Sequence, residues 1–439
     1  MKSNLISSAR APELVKKLWM TAFIFAIFRM GIFVPTPGVN AKALQEFLNQ
    51  SANIFGFFNA FSGGALERFS IFALGIMPYI SSSIIFSLLT VVSERLSRLQ
   101  KEGGDLGRKK ISQYTRYGAV ILSVIQGWGI ASWLESSPGG VPIVENPGLT
   151  FKFLTVITLT GGTLFVMWLG EQITQRGIGQ GASMIIFAGI VSHFPSSISQ
   201  VWQMYEAGDI RGMSMFMLFV AVMVATTFVV FMERAQRRIP IHHAKRVVGR
   251  KVYGASMQFL PLKINMAGVI PPIFASSILL FPGTIAQFMK GRFPQMSEVA
   301  AWLNPGTLLY SVFYVTGIVF FCYFYTAIQF NPDDVAENVK KSGGFVPGIR
   351  PGKNTAEYID WVLTRLTTVG AFYVAALCVS PFFFFSNYQI FLGGTSILIV
   401  VGVAMNFGEQ IQSHLMAQQY EKFLGDDAKG DKRFKGRAE

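Results

Sequence analysis

Long apolar runs, separated by shorter polar segments, recur along the whole chain. A helix of about 20 apolar residues spans the roughly 30 Å hydrocarbon core of a bilayer and satisfies its own backbone hydrogen bonds there. The pattern therefore predicts an all-α, polytopic membrane protein with ten transmembrane helices. The predicted spans are residues 18–36, 71–93, 115–135, 152–172, 183–203, 213–233, 264–289, 307–330, 361–385 and 394–416.

The composition agrees with lipid as the main solvent. Hydrophobic residues make up 51% of the 439 residues and charged residues only 14%, whereas an average soluble protein has roughly 25% charged residues. The two cysteines, Cys322 and Cys378, lie in apolar runs, which excludes a disulfide framework or a cysteine-based zinc cluster. The first apolar run continues into residues 35–38 (PTPG) without a small-residue cleavage site, so no removable signal peptide is predicted.

The basic residues predict the orientation in the membrane. Ten spans place both termini on one side. Of the 38 Lys and Arg residues, 31 fall in segments on that side, 6 fall in the opposite loops and Arg29 lies inside the first span. Because Lys and Arg in short loops are retained in the cytoplasm, both termini are predicted to be cytoplasmic. The net charge of +14 is therefore no evidence in general for a nucleic-acid-binding face, because orientation and attraction to anionic lipid account for it.

Two cytoplasmic loops are too long and too polar for simple turns. Residues 234–263 are rich in Arg and Lys, and residues 331–360 have a centre rich in glycine and proline, which fix the shape of a loop. Both are predicted to project into the cytosol. Their positive charge favours a partner with a large anionic surface, such as ribosomal RNA or an acidic motor protein.

An internal repeat divides the chain. Residues 75–83 (GIMPYISSS) and 268–276 (GVIPPIFAS) align without gaps at an offset of 193 residues, and each opens a predicted span. Five spans per half make the halves inverted relative to each other, an arrangement that commonly places the transport path at their junction. The alternative is a chance match, because G-x-x-P is frequent in membrane helices. The predicted organisation is a cytoplasmic N-terminal segment (1–17), two five-helix halves (18–203 and 204–418) and a cytoplasmic tail (419–439).

The segment at about residues 54–69 is neither a clear span nor an ordinary loop. It is apolar enough to enter the membrane, but it is too short and too interrupted by glycine to cross it. A re-entrant segment is tolerated only where protein or a water-filled cavity surrounds it, and on the outer side of a pore it could serve as a stopper. An interfacial helix on the outer leaflet is the equal alternative.

Five motifs in this order make the chain similar to the SecY protein-translocase family, in its bacterial branch: residues 61–65 (FSGGA), 73–80 (ALGIMPYI), 170–179 (GEQITQRGIG), 265–271 (NMAGVIP) and 344–352 (GFVPGIRPG). The resemblance implies the central pore subunit of a protein-conducting channel. Such a subunit moves unfolded secretory polypeptides across the membrane and releases transmembrane segments sideways into lipid. The pore would lie between the two inverted halves, with a plug at about 54–69 and a lateral opening between the second and seventh spans.

The resemblance also implies roles for individual residues. A ring of aliphatic side chains at the narrowest point corresponds to Ile80, Ile84, Ile186, Ile190, Ile273 and Ile399. The plug corresponds to Phe57, Phe58, Asn59, Phe61, Ser62, Gly63, Gly64 and Leu66, and the lateral gate to Pro78, Ser83, Pro271, Pro272 and Ser276. The loops that dock partners contain Arg238, Lys245, Arg246, Arg250, Lys251 and Arg350.

A collar of isoleucines would suit a pore, because apolar side chains can dewet a narrow passage and still yield to a passing chain. Taken singly, however, an isoleucine in a membrane helix usually faces lipid or packs against a neighbour. Only the resemblance raises these six positions above that expectation.

The partners implied by the resemblance are the small membrane subunits SecE and SecG, the SecA ATPase, a translating ribosome, membrane lipids and an unfolded secretory polypeptide with its signal sequence. The implied location is the bacterial cytoplasmic (inner) membrane. No nucleotide-binding G-x-x-x-x-G-K-[ST] loop or H-E-x-x-H zinc motif occurs in the sequence. No catalytic residue, metal site or cofactor is therefore predicted, and the chain is not expected to be an enzyme.

Two alternatives remain at this point. A secondary transporter also uses inverted repeats with broken helices, but it usually needs ionisable residues at mid-membrane, where Arg29 is the chief candidate. A membrane bundle that only anchors a cytosolic complex would leave the re-entrant segment and the paired Gly/Pro spans unexplained.

Overall fold

The computed structural model describes residues 12–40, 43–44, 62–101, 104–136, 143–144, 146–208, 211–243, 246–248, 251–253, 257–289, 307–384 and 394–435. Its helices are α1 (Pro12–Ile32), α2 (Met77–Val92), α3 (Glu94–Lys101), α4 (Gly104–Ser136), α5 (Leu149–Arg176), α6 (Gly181–Glu206), α7 (Gly212–Arg234), α8 (Ile270–Met289), α9 (Leu308–Gln329), α10 (Pro332–Lys341), α11 (Lys353–Phe384) and α12 (Gly394–Lys435). Its strands are β1 (Gln236–His243), β2 (Arg246–Val248), β3 (Lys251–Tyr253), β4 (Met257–Lys263) and β5 (Gly344–Phe345).

Each of the ten predicted spans coincides with a helix. Among the described residues, seven helices are long and apolar enough to cross a membrane. The other three predicted spans correspond to α1, to α2 with its 16 residues and to α8, whose proline at position 282 lies inside the helix. Several helices extend beyond the predicted span: α4 begins at Gly104 and α12 continues to Lys435.

Helix α7 illustrates why lipid is the required solvent. Within α7 only Val229 is buried, while large apolar side chains such as Phe216, Phe219 and Phe231 are each more than 60% exposed. A helix that is apolar on all sides belongs in a core or a membrane. Since no protein core covers α7, these side chains are suited to hydrocarbon.

The chain forms two compact units. The first contains Met1–Pro195 and Val403–Glu439, and the second contains Ser196–Gly402. In the first unit α4 packs against both α2 and α5, and α1 packs against α5. A core of buried apolar residues, among them Phe69, Leu134, Phe151 and Leu159, joins the segment before α2 to α4 and α5.

The polypeptide after α1 is held against the segment that leads into α2. The amide of Thr36 donates to the carbonyl of Phe69 at 2.8 Å, and the amide of Ile71 donates to the carbonyl of Val34 at 3.0 Å. Tight packing against α5 adds a further restraint, because a Cβ on Gly162 would collide with the carbonyl oxygen of Ile71. The entry into α2 is therefore fixed from two sides.

In the second unit α9 packs against α8 and α11. Its buried face includes Tyr310, Tyr314, Ile318 and Phe321. The ring of Phe321 meets that of Phe274 on α8 edge to face, with centroids 5.8 Å apart. This is one of the two preferred arrangements of aromatic pairs.

The two basic loops are joined in one sheet rather than standing apart. Strands β4, β1 and β5 form an antiparallel sheet in that order, with Ile239 opposite Leu260 and His242 opposite Phe345. A core that includes Ile239, Leu262, Val346 and Ile359 packs this sheet onto the start of α11. Strands β2 and β3 form a separate antiparallel pair.

Candidate functional site

The predicted pore-ring residues of the first unit lie on α2 and α6 and are buried. Ile80 and Ile84 are one helical turn apart on α2, and at most 6% of either residue is exposed. Ile186 and Ile190 have the same spacing on α6, and at most 4% of either is exposed. A small cavity in this unit is lined by Ile186 together with Ser62, Ala73, Leu74, Gly75, Ile76 and Met77. The structure thus brings Ile186 beside the entry of α2 and the last residues of the predicted plug.

The predicted pore-ring residues of the second unit lie on α8 and α12. Ile273 is 5% exposed and Ile399 is fully buried. The two helices are close to each other, because a Cβ on Gly402 of α12 would collide with the side chain of Val269, just before α8. Ile399 is one turn before Gly402, and Ile273 is one turn after Val269. These isoleucines would be buried both in a closed pore ring and in ordinary helix packing. Their burial does not distinguish the two, so the ring remains a prediction.

The two repeat segments have matching backbone conformations. Gly75 has φ +54° and Gly268 has φ +63°, values in the left-handed region that glycine adopts without steric cost. Two residues later the helices begin, α2 at Met77 and α8 at Ile270. Each helix has a proline as its second residue, a position that needs no backbone hydrogen bond.

The predicted lateral-gate residues occupy these helix starts. Pro78, Pro271, Pro272 and Ser276 are buried, and Ser83 is partly exposed. The Ser276 hydroxyl donates to the carbonyl of Ile273 at 2.9 Å, so this buried hydroxyl has a hydrogen-bond partner within its own helix.

The C-terminal end of the predicted plug lies in the described region. Ser62, Gly63, Gly64 and Leu66 are buried, whereas Phe57, Phe58, Asn59 and Phe61 lie outside the described residues. Gly63 and Gly64 both have positive φ, +69° and +86°. They form a turn that residues with side chains would adopt only at a cost.

The predicted docking residues are divided between several strands and loops. Arg238 on β1 and Arg350 in the loop after β5 are exposed. Arg246 and Lys251 belong to the paired strands β2 and β3, and Lys245 and Arg250 lie outside the described residues. The sheet places Arg238 and the loop that carries Arg350 in the same folded body.

Arg29 makes contacts that sequence reasoning missed. Its Nη1 donates to the carbonyl of Gly63 at 3.1 Å and to the Ser192 hydroxyl at 3.1 Å, and its guanidinium lies 5.1 Å from the ring centroid of Phe33. The only sequence signal was an arginine inside a predicted span, which indicates a partner in the bundle but does not identify it.

Asn265 is a second residue whose role the sequence did not reveal. It is 5% exposed, and its Nδ2 donates to Glu233 Oε1 at 2.7 Å and to the Gly268 carbonyl at 3.1 Å. These bonds connect the end of α7 to the turn that opens α8.

A charged pair between two neighbouring helices was also missed. Arg116 on α4 and Glu171 on α5 form an ion pair with Nε and Oε1 2.6 Å apart. In the part of the chain that the structure describes, no three His, Cys, Asp or Glu side chains are close enough to hold a metal ion.

Seven helices of the described residues are long and apolar enough to cross a membrane, and together with the paired helix starts at α2 and α8 they define a polytopic α-helical membrane protein of the channel and transporter class. The comparisons with known proteins identify the family. The SecY family profile matches residues 70–408. The chain is 51% identical over 417 residues to the protein translocase subunit SecY of Escherichia coli (strain K12), covering 94% of each chain. The chain belongs to the SecY family.

Solved structures agree with the fold. One is a structure of a SecY channel, described by the role of its plug domain in the closed state and the membrane seal. Its TM-score is 0.65 at 17% identity, and the match covers 91% of this chain and 92% of that one. Another, Sec61 in a canine ribosome-channel complex from the endoplasmic reticulum, has a TM-score of 0.64 at 16% identity with the same coverage. The predicted SecY-like, ten-helix fold class is confirmed.

The family assignment also settles the general function. The chain is a multi-pass protein of a bacterial membrane and a protein-conducting channel subunit of a translocase, not an enzyme. The channel interpretation is therefore favoured over the secondary transporter.

Proposed function

We propose that the chain forms the central pore of a bacterial translocase, through which an unfolded polypeptide with a signal sequence crosses the membrane. Transmembrane segments would leave this pore sideways into lipid. The observation that carries the proposal is the matched geometry of the two repeat segments, in which Gly75 and Gly268 have the same left-handed conformation and each precedes a proline-containing helix start. Paired broken helices are typical of proteins that transport along the junction of two halves.

The six isoleucines would form the pore ring: Ile80, Ile84, Ile186, Ile190, Ile273 and Ile399. Their burial supports a narrow apolar constriction, which would exclude ions by dewetting while the channel is at rest. Ile80 and Ile273 also occupy equivalent positions in the repeat, as expected if both halves contribute to one ring.

Residues 54–69 would close the pore on its outer side. Support comes from the buried turn at Ser62, Gly63 and Gly64, of which Ser62 lines the same cavity as Ile186. A stopper in this position would rest against a pore-ring residue.

The helix starts of α2 and α8 would form the two sides of the lateral gate. Pro78 and Ser83 would lie on one side, and Pro271, Pro272 and Ser276 on the other. Proline at a helix start occupies a position that needs no backbone hydrogen bond, so a movement of the helix end breaks no backbone bond donated by that residue.

The cytoplasmic sheet and its loops would dock the partners that drive transport. A translating ribosome or the SecA ATPase would bind the positive surface that includes Arg238, Lys245, Arg246, Arg250, Lys251 and Arg350. The exposure of Arg238 and Arg350 and the similarity to a ribosome-bound channel support this. SecE and SecG would complete the membrane complex.

Both termini would face the cytoplasm of the bacterial inner membrane. The distribution of Lys and Arg supports this orientation, because 31 of 38 would lie on the cytoplasmic side.

The test is transport into vesicles. The chain would be reconstituted with candidate SecE and SecG subunits, and a secretory precursor would be added with SecA and ATP. We expect the precursor to become protected from external protease only when ATP is present, and vesicles without the chain serve as the control. Absence of protection with every partner combination, accompanied by flux of a small solute, would contradict the proposal.

A further inference from the structure

Arg29 connects three parts of the first unit that meet near the outer end of α1. The arginine lies in the last turn of α1, its first partner is the carbonyl of Gly63 at the end of the predicted plug, and its second partner is Ser192 on α6. Ser192 in turn donates to the carbonyl of Gly189 at 2.8 Å. A single guanidinium thus bridges the plug segment and the helix that carries Ile186 and Ile190.

The packing around this bridge leaves little room for a side chain at position 63. A Cβ on Gly63 would lie 3.0 Å from the Cα of Gly189 and 3.0 Å from Ser192 Oγ, closer than almost all real contacts of this kind. The backbone of the plug segment therefore lies directly against the backbone of α6. Because Gly63 also has positive φ, glycine is the residue that suits this contact.

The bridge is also energetically significant. An arginine within a membrane helix is costly unless it is paired, and hydrogen bonds to a charged donor are stronger than neutral ones. The Arg29 position near the C-terminus of α1 is favourable for a cation because of the helix dipole. The partly buried guanidinium is thus paired and oriented rather than left exposed to hydrocarbon.

From this geometry we propose that Arg29 is a positioning residue that holds the plug segment against α6 while the channel is closed. This inference rests on the proposed function, since it assumes that residues 54–69 act as the plug. Gly189 and Ser192 flank Ile190 on α6. If α6 moves when the pore ring widens, it carries with it the Ser192 hydroxyl, which accepts from Arg29, and the Gly189 backbone, against which Gly63 packs. Opening of the ring and release of the plug are coupled through these contacts.

The test measures ion leak through the resting channel. Vesicles containing the reconstituted full complex and loaded with iodide are compared for wild type, Arg29→Gln, Arg29→Lys and Ser192→Ala. The matched control is Arg176→Gln, because Arg176 is also an arginine in the last turn of a helix of the same unit, α5, and is exposed outside the predicted plug. Each variant is also tested for its unfolding temperature and for import of a precursor with a defective signal sequence.

We expect Arg29→Gln to raise the leak roughly tenfold and to admit the defective precursor, because a charge-assisted hydrogen bond that favours the closed state is lost. Arg29→Lys should leak less than Arg29→Gln, since the charge and one donor can still reach an acceptor. Ser192→Ala should produce a smaller increase, and Arg176→Gln should resemble wild type. If Arg29→Gln does not fold, Ser192→Ala still tests the proposal, because it removes one acceptor of the Arg29 guanidinium.

Three results would overturn the assignment of Arg29. The first is a wild-type leak in both Arg29→Gln and Ser192→Ala, and the second is an equal leak in Arg29→Gln and Arg176→Gln. The third is a leak that appears only with a lowered unfolding temperature. Failure of the proposed function is distinguishable, because in that case the wild-type vesicles themselves would not import a normal precursor.

Discussion

Gly75 and Gly268 adopt nearly the same left-handed conformation, φ +54° and +63°, although they belong to different compact units. An added Cβ would meet no atom within 4 Å at Gly268 and none closer than 3.8 Å at Gly75. The glycines are therefore required by the backbone conformation and not by lack of space. The repeat seen in the sequence is thus a repeat of local structure as well.

Alanine at either glycine is expected to destabilise the protein through backbone strain alone. A left-handed conformation costs a non-glycine residue about 1–2 kcal/mol, so Gly75→Ala and Gly268→Ala should each lower the unfolding temperature of the purified protein. Gly161→Ala is the matched control, because Gly161 lies in α5 and a Cβ there meets nothing within 4 Å. That replacement should be neutral or stabilising by about 0.5–1 kcal/mol. Equal shifts in all three variants would contradict the argument.

A polar side chain in the proposed ring is expected to make the resting channel conduct ions. Ile80→Asn should increase iodide efflux from vesicles and relax the requirement for a strong signal sequence, because water would enter an apolar constriction. Polar replacements of Ile273 and Ile399 should do the same. Ile85→Asn is the control, since Ile85 lies on the same helix but is 45% exposed. If Ile85→Asn leaks as much as Ile80→Asn, the ring is wrongly placed.

Asn265 is expected to stabilise the turn into α8. Asn265→Ala removes two hydrogen bonds and leaves the Gly268 carbonyl without this donor, which costs about 1–3 kcal/mol. Asn265→Asp should be worse at neutral pH, because its carboxylate would face Glu233. Protonation relieves repulsion between two carboxylates, so the deficit of Asn265→Asp relative to Asn265→Ala should shrink as the pH falls. Thermal unfolding at several pH values would measure this, and a deficit independent of pH would argue against direct contact with Glu233.

Arg350 is expected to contribute to docking through its charge. Arg350→Glu should weaken binding of ribosomes or SecA to vesicles, with the largest effect at low ionic strength, because salt screens exposed charges. Its backbone carbonyl accepts from the Thr355 hydroxyl at 2.9 Å, and this bond does not depend on the side chain. Arg211→Glu is the control, since Arg211 is exposed and precedes α7 in a predicted outer loop. Equal losses in both variants would indicate a general charge effect.

The ten spans were predictable because lipid imposes the same requirement on each of them, a long apolar helix. Helix ends were less predictable: α4 begins at Gly104 and α12 continues to Lys435, since a helix does not need to stop where the membrane does. The sheet of β1, β4 and β5 was missed, although aliphatic residues recur at every second position in Ile239 and Ile241 and again in Leu260 and Leu262. That alternation is typical of a strand with one buried face, and the density of charge obscured it.

The candidate site was predictable only in part. The positions of the pore-ring isoleucines followed from family motifs, and the structure locates them on helices as buried residues. The partners of Arg29 could not have been deduced, because Gly63 is 34 residues away and Ser192 is 163 residues away. No local periodicity encodes such contacts. They depend on the packing of α1 beside the plug segment and α6.

The pairing of β1 with both β4 and β5 has a mechanical consequence. Strand β1 continues from α7, β4 leads towards α8, and β5 lies between α10 and α11. A load applied to any one of these strands is therefore shared by helices that enter the bilayer at several points. A force applied to this sheet would therefore be transmitted to α7, α8 and α11 together rather than to a single loop.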